Sequence, residues 1–207
     1  MNFVPDRTLA ARALAIVKRA ICRANALILG QAPAHKKSSR EVIECKEIVY
    51  RGGIVRFRIP WHWIEEYEPA GGAMFYADHP DTSILRLNVL AFETEEPVTA
   101  DSAVDSIAAL AELGFSDVVI SSEGNAIATA FERTTDDGEA ISIHSWCVAC
   151  PIPPRGLRLA QFTFTMLTSL EDAPETRRDL KLLNDSIKHA EFSPAFGIVG
   201  DYYHDYQ

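Results

Sequence analysis

Apolar residues recur along this chain with two different spacings, and each switch between them marks an element. Over residues 54–67 the spacing is two. Val55, Phe57 and Ile59 share one face, and Ile54, Arg56 and Arg58 share the other, which is largely basic. That alternation predicts a half-buried strand, which Pro60 ends because it has no N–H to donate. Residues 42–50 form a second extended run, joined to the first through Arg51-Gly52-Gly53, a hairpin in which glycine supplies positive φ. Beyond Gly71-Gly72, residues 73–78 and 84–92 read as strands, with Leu85, Leu87, Val89 and Ala91 alternating against Arg86 and Asn88.

The spacing then becomes helical. Ser102 with Asp105 reads as a capping box, Val104, Ile107, Ala108 and Ala111 as an apolar stripe, and Gly114 as the terminating glycine. Residues 117–121, 126–134 and 138–148 return to strand spacing, with a hairpin signal at Asp136-Asp137-Gly138. Pro151, Pro153 and Pro154 are expected to close the strand that carries Trp146. Residues 157–168 read as the last strand, with Phe162, Phe164 and Met166 on one face. A second helix is predicted over 174–189, entered through Pro174 and Glu175, with Leu180, Leu183 and Ile187 turned inward. The order defines an α+β fold: one antiparallel sheet of about six to seven strands with helices over one or both faces.

Residues 1–40 are a different object. At 100° per residue, Leu9, Ala13, Ile16, Val17, Ala20, Ile21, Ala24, Leu27 and Ile28 fall on one side, and Arg7, Arg12, Lys18, Arg19 and Arg23 on the other. Asp6 is placed to cap this basic amphipathic helix and Gly30 to end it, after which 31–40 is a polar linker. Its apolar face needs cover. The candidates are the acidic body of the chain, an anionic membrane surface met by residues 1–30 through Arg12, Lys18, Arg19 and Arg23, or a partner's groove; an Arg-rich, acid-poor leader is a further reading.

Charge sharpens the division. The 207 residues carry a net −9, but residues 1–40 hold eight Lys/Arg against one acid, and the remainder 12 against 28. An acidic body excludes a nucleic-acid groove, which needs clustered cations. With 47% hydrophobic residues the chain can bury one core. The expected organisation is the arm (1–40), one domain (41–195) and an aromatic, acidic tail (196–207) with Tyr202, Tyr203 and Tyr206. Four cysteines in this length point to a reducing compartment rather than a disulfide scaffold. No apolar run is long enough to span a bilayer, and Ala32-Pro33-Ala34 follows a segment too charged for a secretory signal. A cytoplasmic location, with membrane association through the arm, is expected.

Chemical motifs are few. Cys147-Val148-Ala149-Cys150 has redox or zinc spacing, but a strand precedes it where a redox site wants a helix start, and zinc needs two further ligands. His62, between Trp61 and Trp63 and beside Glu65 and Glu66, is the one acid–base grouping, and His144 has no nucleophile at a diagnostic spacing. His79-Pro80-Asp81 reads as a turn. Nucleophile-elbow, phosphate-loop, dinucleotide and zincin motifs are absent. No catalytic residue, metal or cofactor is therefore assigned. A hydrolase or metal-dependent enzyme using His62, Glu65 and Glu66, or Cys147 and Cys150, is the rival reading. Trp61, Trp63, Tyr67 and Tyr76 are the candidate partner surface, since tryptophan and tyrosine dominate interface energies, with core packing the equally ordinary alternative.

The run Phe57-Arg58-Ile59-Pro60 followed by Trp61 and Trp63, the stretches 85–89, 146–148, 162–164 and 187–192, and the helix from Ser102 together resemble the PsbP-like superfamily, in its DcrB-like bacterial branch. The resemblance covers roughly residues 41–195. It implies an α/β/α sandwich and a non-catalytic protein-binding role, as a chaperone or adaptor. The chain departs from DcrB-like lipoproteins in having no lipobox cysteine behind a clean signal.

Overall fold

The computed structural model describes residues 44–69, 71–79, 83–110 and 114–194. The arm, with Arg12, Lys18, Arg19 and Arg23, and the tail that follows Pro194 lie outside the described residues.

Two sheets form where the sequence pointed to one. β1 (Cys45–Tyr50) and β2 (Val55–Pro60) make the expected hairpin, and β2 also takes β10 (Glu191–Phe192) on its other side. The turn between β1 and β2 holds Arg51, Gly52 and Gly53 at φ 44°, 70° and 96°, a region that glycine enters without steric cost. The other seven strands are β3 (Ile64–Tyr67), β4 (Ala73–Tyr76), β5 (Ile84–Glu93), β6 (Ser116–Ile120), β7 (Ala126–Asp136), β8 (Glu139–Ile152) and β9 (Gly156–Leu167). They run in the order β3-β4-β5-β9-β8-β7-β6 with every neighbour antiparallel. β7 and β8 meet at Asp137 and Gly138, both at positive φ, as the hairpin signal required. Among the described residues two α-helices, α1 (Ala100–Ala108) and α2 (Pro174–Lys188), and a short 3-10 turn at Thr168–Leu170 complete the α+β fold.

The split into two sheets follows from the first hairpin being apolar on one face only. Ile48, Tyr50, Val55, Phe57 and Ile59 are buried, while Arg56 and Arg58 remain outside. That face closes onto the large sheet as a second layer. Phe57 stands edge-on to Phe75 (5.4 Å between ring centroids) and to Phe162 (5.1 Å). Leu183 and Ile187 of α2 enter the same core. α2 itself starts on Pro174, with Glu175 in its first turn and Lys188 in its last, both favourable to the helix dipole. The hydroxyl of its Ser186 accepts a hydrogen bond from the Arg58 N–H, tying the helix to β2.

The opposite face of the large sheet carries α1. Thr99 caps this helix: its side chain accepts from the Ser102 N–H, and the Ser102 hydroxyl accepts from the Thr99 N–H. The capping box therefore lies one turn before the Ser102–Asp105 pair expected from the sequence. The buried stripe shifts with it, to Ala103, Ile107 and Leu110, and Ala108 is exposed. These side chains pack on Ala126, Ala128, Cys147, Ala149, Leu157 and Leu159.

Two boundaries sharpen the sequence reading. β8 does close at its prolines, but at Pro153 and Pro154 and not at Pro151, since the ladder runs through Pro151, opposite Leu157, to Ile152. Residues 64–67, unassigned from the sequence, form the edge strand β3; all four are exposed, so no apolar alternation announces it.

If Phe57 joins the two layers, Phe57→Ala should lower the unfolding free energy by about 3–5 kcal/mol. Urea denaturation checks this, and a loss near zero would show that the layers are held elsewhere.

Candidate functional site: a groove beside α2 and the open β6 edge

α2 leans toward β2, and the consequence is a strip of sheet that no described helix covers on that face. On β7, Ile127 is buried in the core, but Thr129 and Phe131, which share its face, run out from under the helix. On β8, Trp146 is buried, and His144, two residues earlier on that face, is only partly so. Between these strands and the helix lies a groove of about 470 Å³, lined among others by Phe131, His144, Trp146, Lys181 and Asn184. That volume lies within the range of small-ligand and side-chain pockets.

The aromatic floor is ordered by contacts of its own. His144 lies 4.6 Å from the Phe131 ring and 6.4 Å from that of Trp146. The Trp146 indole N–H donates to Asn184 Oδ1 at 3.2 Å. Beside them Arg133 holds Glu171 with two hydrogen bonds, of 2.9 and 2.6 Å, and the Ser142 hydroxyl donates to the same carboxylate. Those donors draw the Glu171 carboxyl down to about 2. Burial lowers the His144 imidazole below its ordinary value of 6.5; Glu171 opposes this, and Arg133 adds to it.

The groove opens onto β6, the edge of the large sheet. All five residues of this strand are exposed, and Val118, Val119 and Ile120 stand in succession. The register with β7 places Val119 opposite Ile127 and Ser116 opposite Thr129, with a bulge between them at which Asp117 sits at φ 54°. Phe131, 50% exposed, continues the apolar surface. The opposite edge, β3, is shorter and carries Glu65 and Glu66, which discourage pairing.

The aromatic residues singled out in the sequence do not share one surface. Trp61 is 62% exposed at the turn after β2. Trp63 is only 2% exposed and belongs to the core, contrary to its assignment to a partner surface. Its N–H donates to the Pro60 carbonyl (3.1 Å), and this turn swings the indole inward to stack on Phe164 (6.0 Å). Tyr67 is about half exposed, stacks on Tyr50 and donates to Glu65 (2.6 Å). Tyr76, partly buried, donates to Glu66 (3.2 Å) on the other face of the sheet.

The same alternation disperses the candidate chemistry. Glu65 and Glu66 are successive strand residues and point to opposite faces; Glu65 is also paired with Lys46 at 2.9 Å. His62 is lowered by partial burial and then by His79, Arg178 and Lys46. Cys147 and Cys150, three apart on β8, also face opposite ways, about 10 Å apart along the strand. Burial pushes the Cys147 thiol up to about 12 and the Cys150 thiol to about 11, the reverse of a reactive thiolate. Among the described residues, no three His, Cys, Asp or Glu side chains stand close enough to hold a metal ion.

Comparison with known proteins supports the fold. No family model and no characterised sequence matches the chain. A solved structure from Bacteroides thetaiotaomicron is similar at a TM-score of 0.50 and 17% identity, over 72% of this chain and 48% of that one. This chain thus spans about half the length of that protein. LpqN, described as involved in cell envelope biogenesis of Mycobacterium tuberculosis, is similar at 0.51 and 9% identity, over 74% of this chain and 93% of its own. A cyanobacterial PsbP from Synechocystis overlies more loosely, at 0.35 and 12% identity over 78% and 100% of the two chains. The likeness to the first two is one of fold, the α+β arrangement of an antiparallel sheet flanked by helices that was expected from the sequence. Identities this low carry the fold alone, and none of these overlays distinguishes the DcrB-like branch.

Two measurements check the site. A thiol reagent should modify exposed Cys45 in the native protein, and reach Cys147 and Cys150 only on unfolding; fast native modification of either would contradict their burial. Because His144 is lowered when folded, its contribution to stability is complete above about pH 6.5 and is lost as the pH falls through its folded value. Asp179, raised by burial to about 6, acts in the opposite sense over 3.8 to 6. The difference in stability between wild type and His144→Gln therefore isolates the histidine, and should move against the wild type as the pH is lowered from 7 to 5.

Proposed function

We propose that this protein is a non-catalytic binding protein, a chaperone or adaptor that holds an extended segment of a partner protein along β6. The observation that carries this reading is the β6 edge itself. Among the described residues no strand pairs with its outer side, and it offers three consecutive exposed aliphatic side chains and a groove directly beside it. An added strand would satisfy the backbone groups and place alternate side chains toward Phe131 and the groove, which is how strand-addition sites combine affinity with specificity. Lys181 and Arg177 at the groove wall favour an acidic residue within that segment, although Arg177 also contacts Asp172 at 2.5 Å. The bulge at Asp117 limits indiscriminate pairing of the edge.

The test compares full-length protein with Val119→Glu/Phe131→Glu and with Trp61→Ala, first in affinity capture from the native cell and then in titration of the purified partner. Val119 on the edge strand and Phe131 in the groove are both exposed, so the fold should tolerate their replacement. The double variant should bind at least about tenfold more weakly, equivalent to ~1.4 kcal/mol, and Trp61→Ala should bind as wild type. The opposite ranking would move the interface to the Trp61 turn.

A further inference from the structure

The face of the large sheet that carries α1 is buried well beyond the reach of α1. That helix packs against β6, β7 and β8 near Ala128, Cys147 and Ala149. Ile143 and Ile141 lie four and six residues earlier on β8, about 13 and 20 Å farther along the strand. They are nevertheless only 6% and 2% exposed, and they belong to neither hydrophobic core. Thr163 and Thr165 of β9, beside them on this face, are equally buried. α2 and the small sheet pack on the opposite face. Among the described residues, then, α1 is the one helix on this face, and it does not extend to these side chains.

The strand register shows what such a cover must match. One row crosses the sheet as Ile64, Tyr76, Ile84, Thr165, Ile143 and Glu132. The next begins at Glu66 and continues through Met74 and Arg86 to Thr163 and Ser145. The centre of this strip is aliphatic and threonine-rich save for one partly buried cation, Arg86, which Glu68 attends, and acids stand at both margins: Glu66 on β3, and Glu132 with Glu139 on β7 and β8. An apolar strip between two acidic margins is the complement of an apolar helical stripe flanked by cations.

We propose that the chain's own basic amphipathic segment, within residues 7–28, docks on this half of the sheet. Leu9, Ile16, Val17, Ile21, Leu27 and Ile28 supply the apolar stripe, and Arg12, Lys18, Arg19 and Arg23 the cations that meet the margins. As a helix, a segment of this length runs ~30 Å, and the strip from β3 to β7 is ~24 Å wide. The 43 residues that precede Glu44 are ample to reach it from the start of β1. The arm thereby forms the second helical layer on this face, beside α1. This inference is independent of the β6 reading, because it concerns the other face and a different occupant.

Carbodiimide coupling of the full-length protein, followed by mass spectrometry, tests it directly. Lys18 should link to Glu66, Glu68, Glu132 or Glu139, and in a mixture of light and heavy isotope-labelled protein those links should be within one copy. Links from Lys18 to Glu47 or Glu191 on the small sheet, links between copies, or no Lys18 link would overturn the proposal. In parallel, Ile16→Asp/Ile21→Asp leaves every described residue intact. It should lower the thermal midpoint by roughly 5 °C or more and increase binding of an apolar dye several-fold. An unchanged midpoint with unchanged dye binding would also overturn it. If anionic vesicles protect the wild-type arm from protease while the sheet face stays dye-accessible, the arm's cover is a membrane and the proposal fails.

Discussion

Phe57 meets Phe75 and Phe162 edge-on, and on that contact the relation of the two sheets depends. The small sheet has only three strands, one of them two residues long, and could not persist alone. Its apolar face becomes stable because the large sheet offers aromatic rings at matching positions on β4 and β9. Once the hairpin is seated there, α2 has one place to go. It packs Leu183 and Ile187 into the same core and accepts the Arg58 N–H at Ser186, so its axis is drawn toward β2 and away from β7. The groove beside Phe131 and His144 is what remains of the sheet after that choice. The groove and the covered core thus have one cause.

Strand alternation governs the chemistry as firmly as it governs the packing. Residues adjacent on a strand, or three apart, point to opposite faces, so motifs that converge on a helix or loop diverge here. Glu65 and Glu66 each receive a tyrosine hydroxyl, from Tyr67 and Tyr76, on opposite faces of the sheet. Cys147 is sealed under α1 while Cys150 faces the other way, toward the level of Arg158. Spacing in sequence suggested two sites, and β geometry separates the members of both.

Much of the fold was legible because its signals were local. The alternation of Val55, Phe57 and Ile59, the glycines at 52, 53 and 138, and Pro174 at a helix start each specify backbone conformation within a few residues. What escaped depended on tertiary position. Trp63 and Trp61 are equivalent in composition, and only the two-residue turn that follows Pro60 sends one inward and the other out. β3 has no apolar rhythm because both its faces are exposed, and its pairing with β4 comes from the neighbouring strand. Phe131 alternates like any core phenylalanine. It is exposed because α2 ends its cover short of β7, a fact no window of sequence contains. The run Val118, Val119 and Ile120 beside a bulge was the available signal for the groove's edge, since three consecutive aliphatics cannot all face one side of a strand.

Arg158 has a bearing on how the chain is made. Its guanidinium, buried in β9, donates to the Ser193 carbonyl at 2.6 Å and reaches the Ile54 carbonyl at 3.5 Å, beside the pairing of β2 with β10. The small sheet is opened by residues near the start of the domain and completed by residues at its end. During synthesis the β1–β2 hairpin emerges from the ribosome before the rest of the domain, yet the third strand of its sheet and the carbonyl that Arg158 grips are translated after every other described element. A nascent chain must therefore carry an amphipathic hairpin with no final seat until β9, α2 and β10 have cleared the exit tunnel.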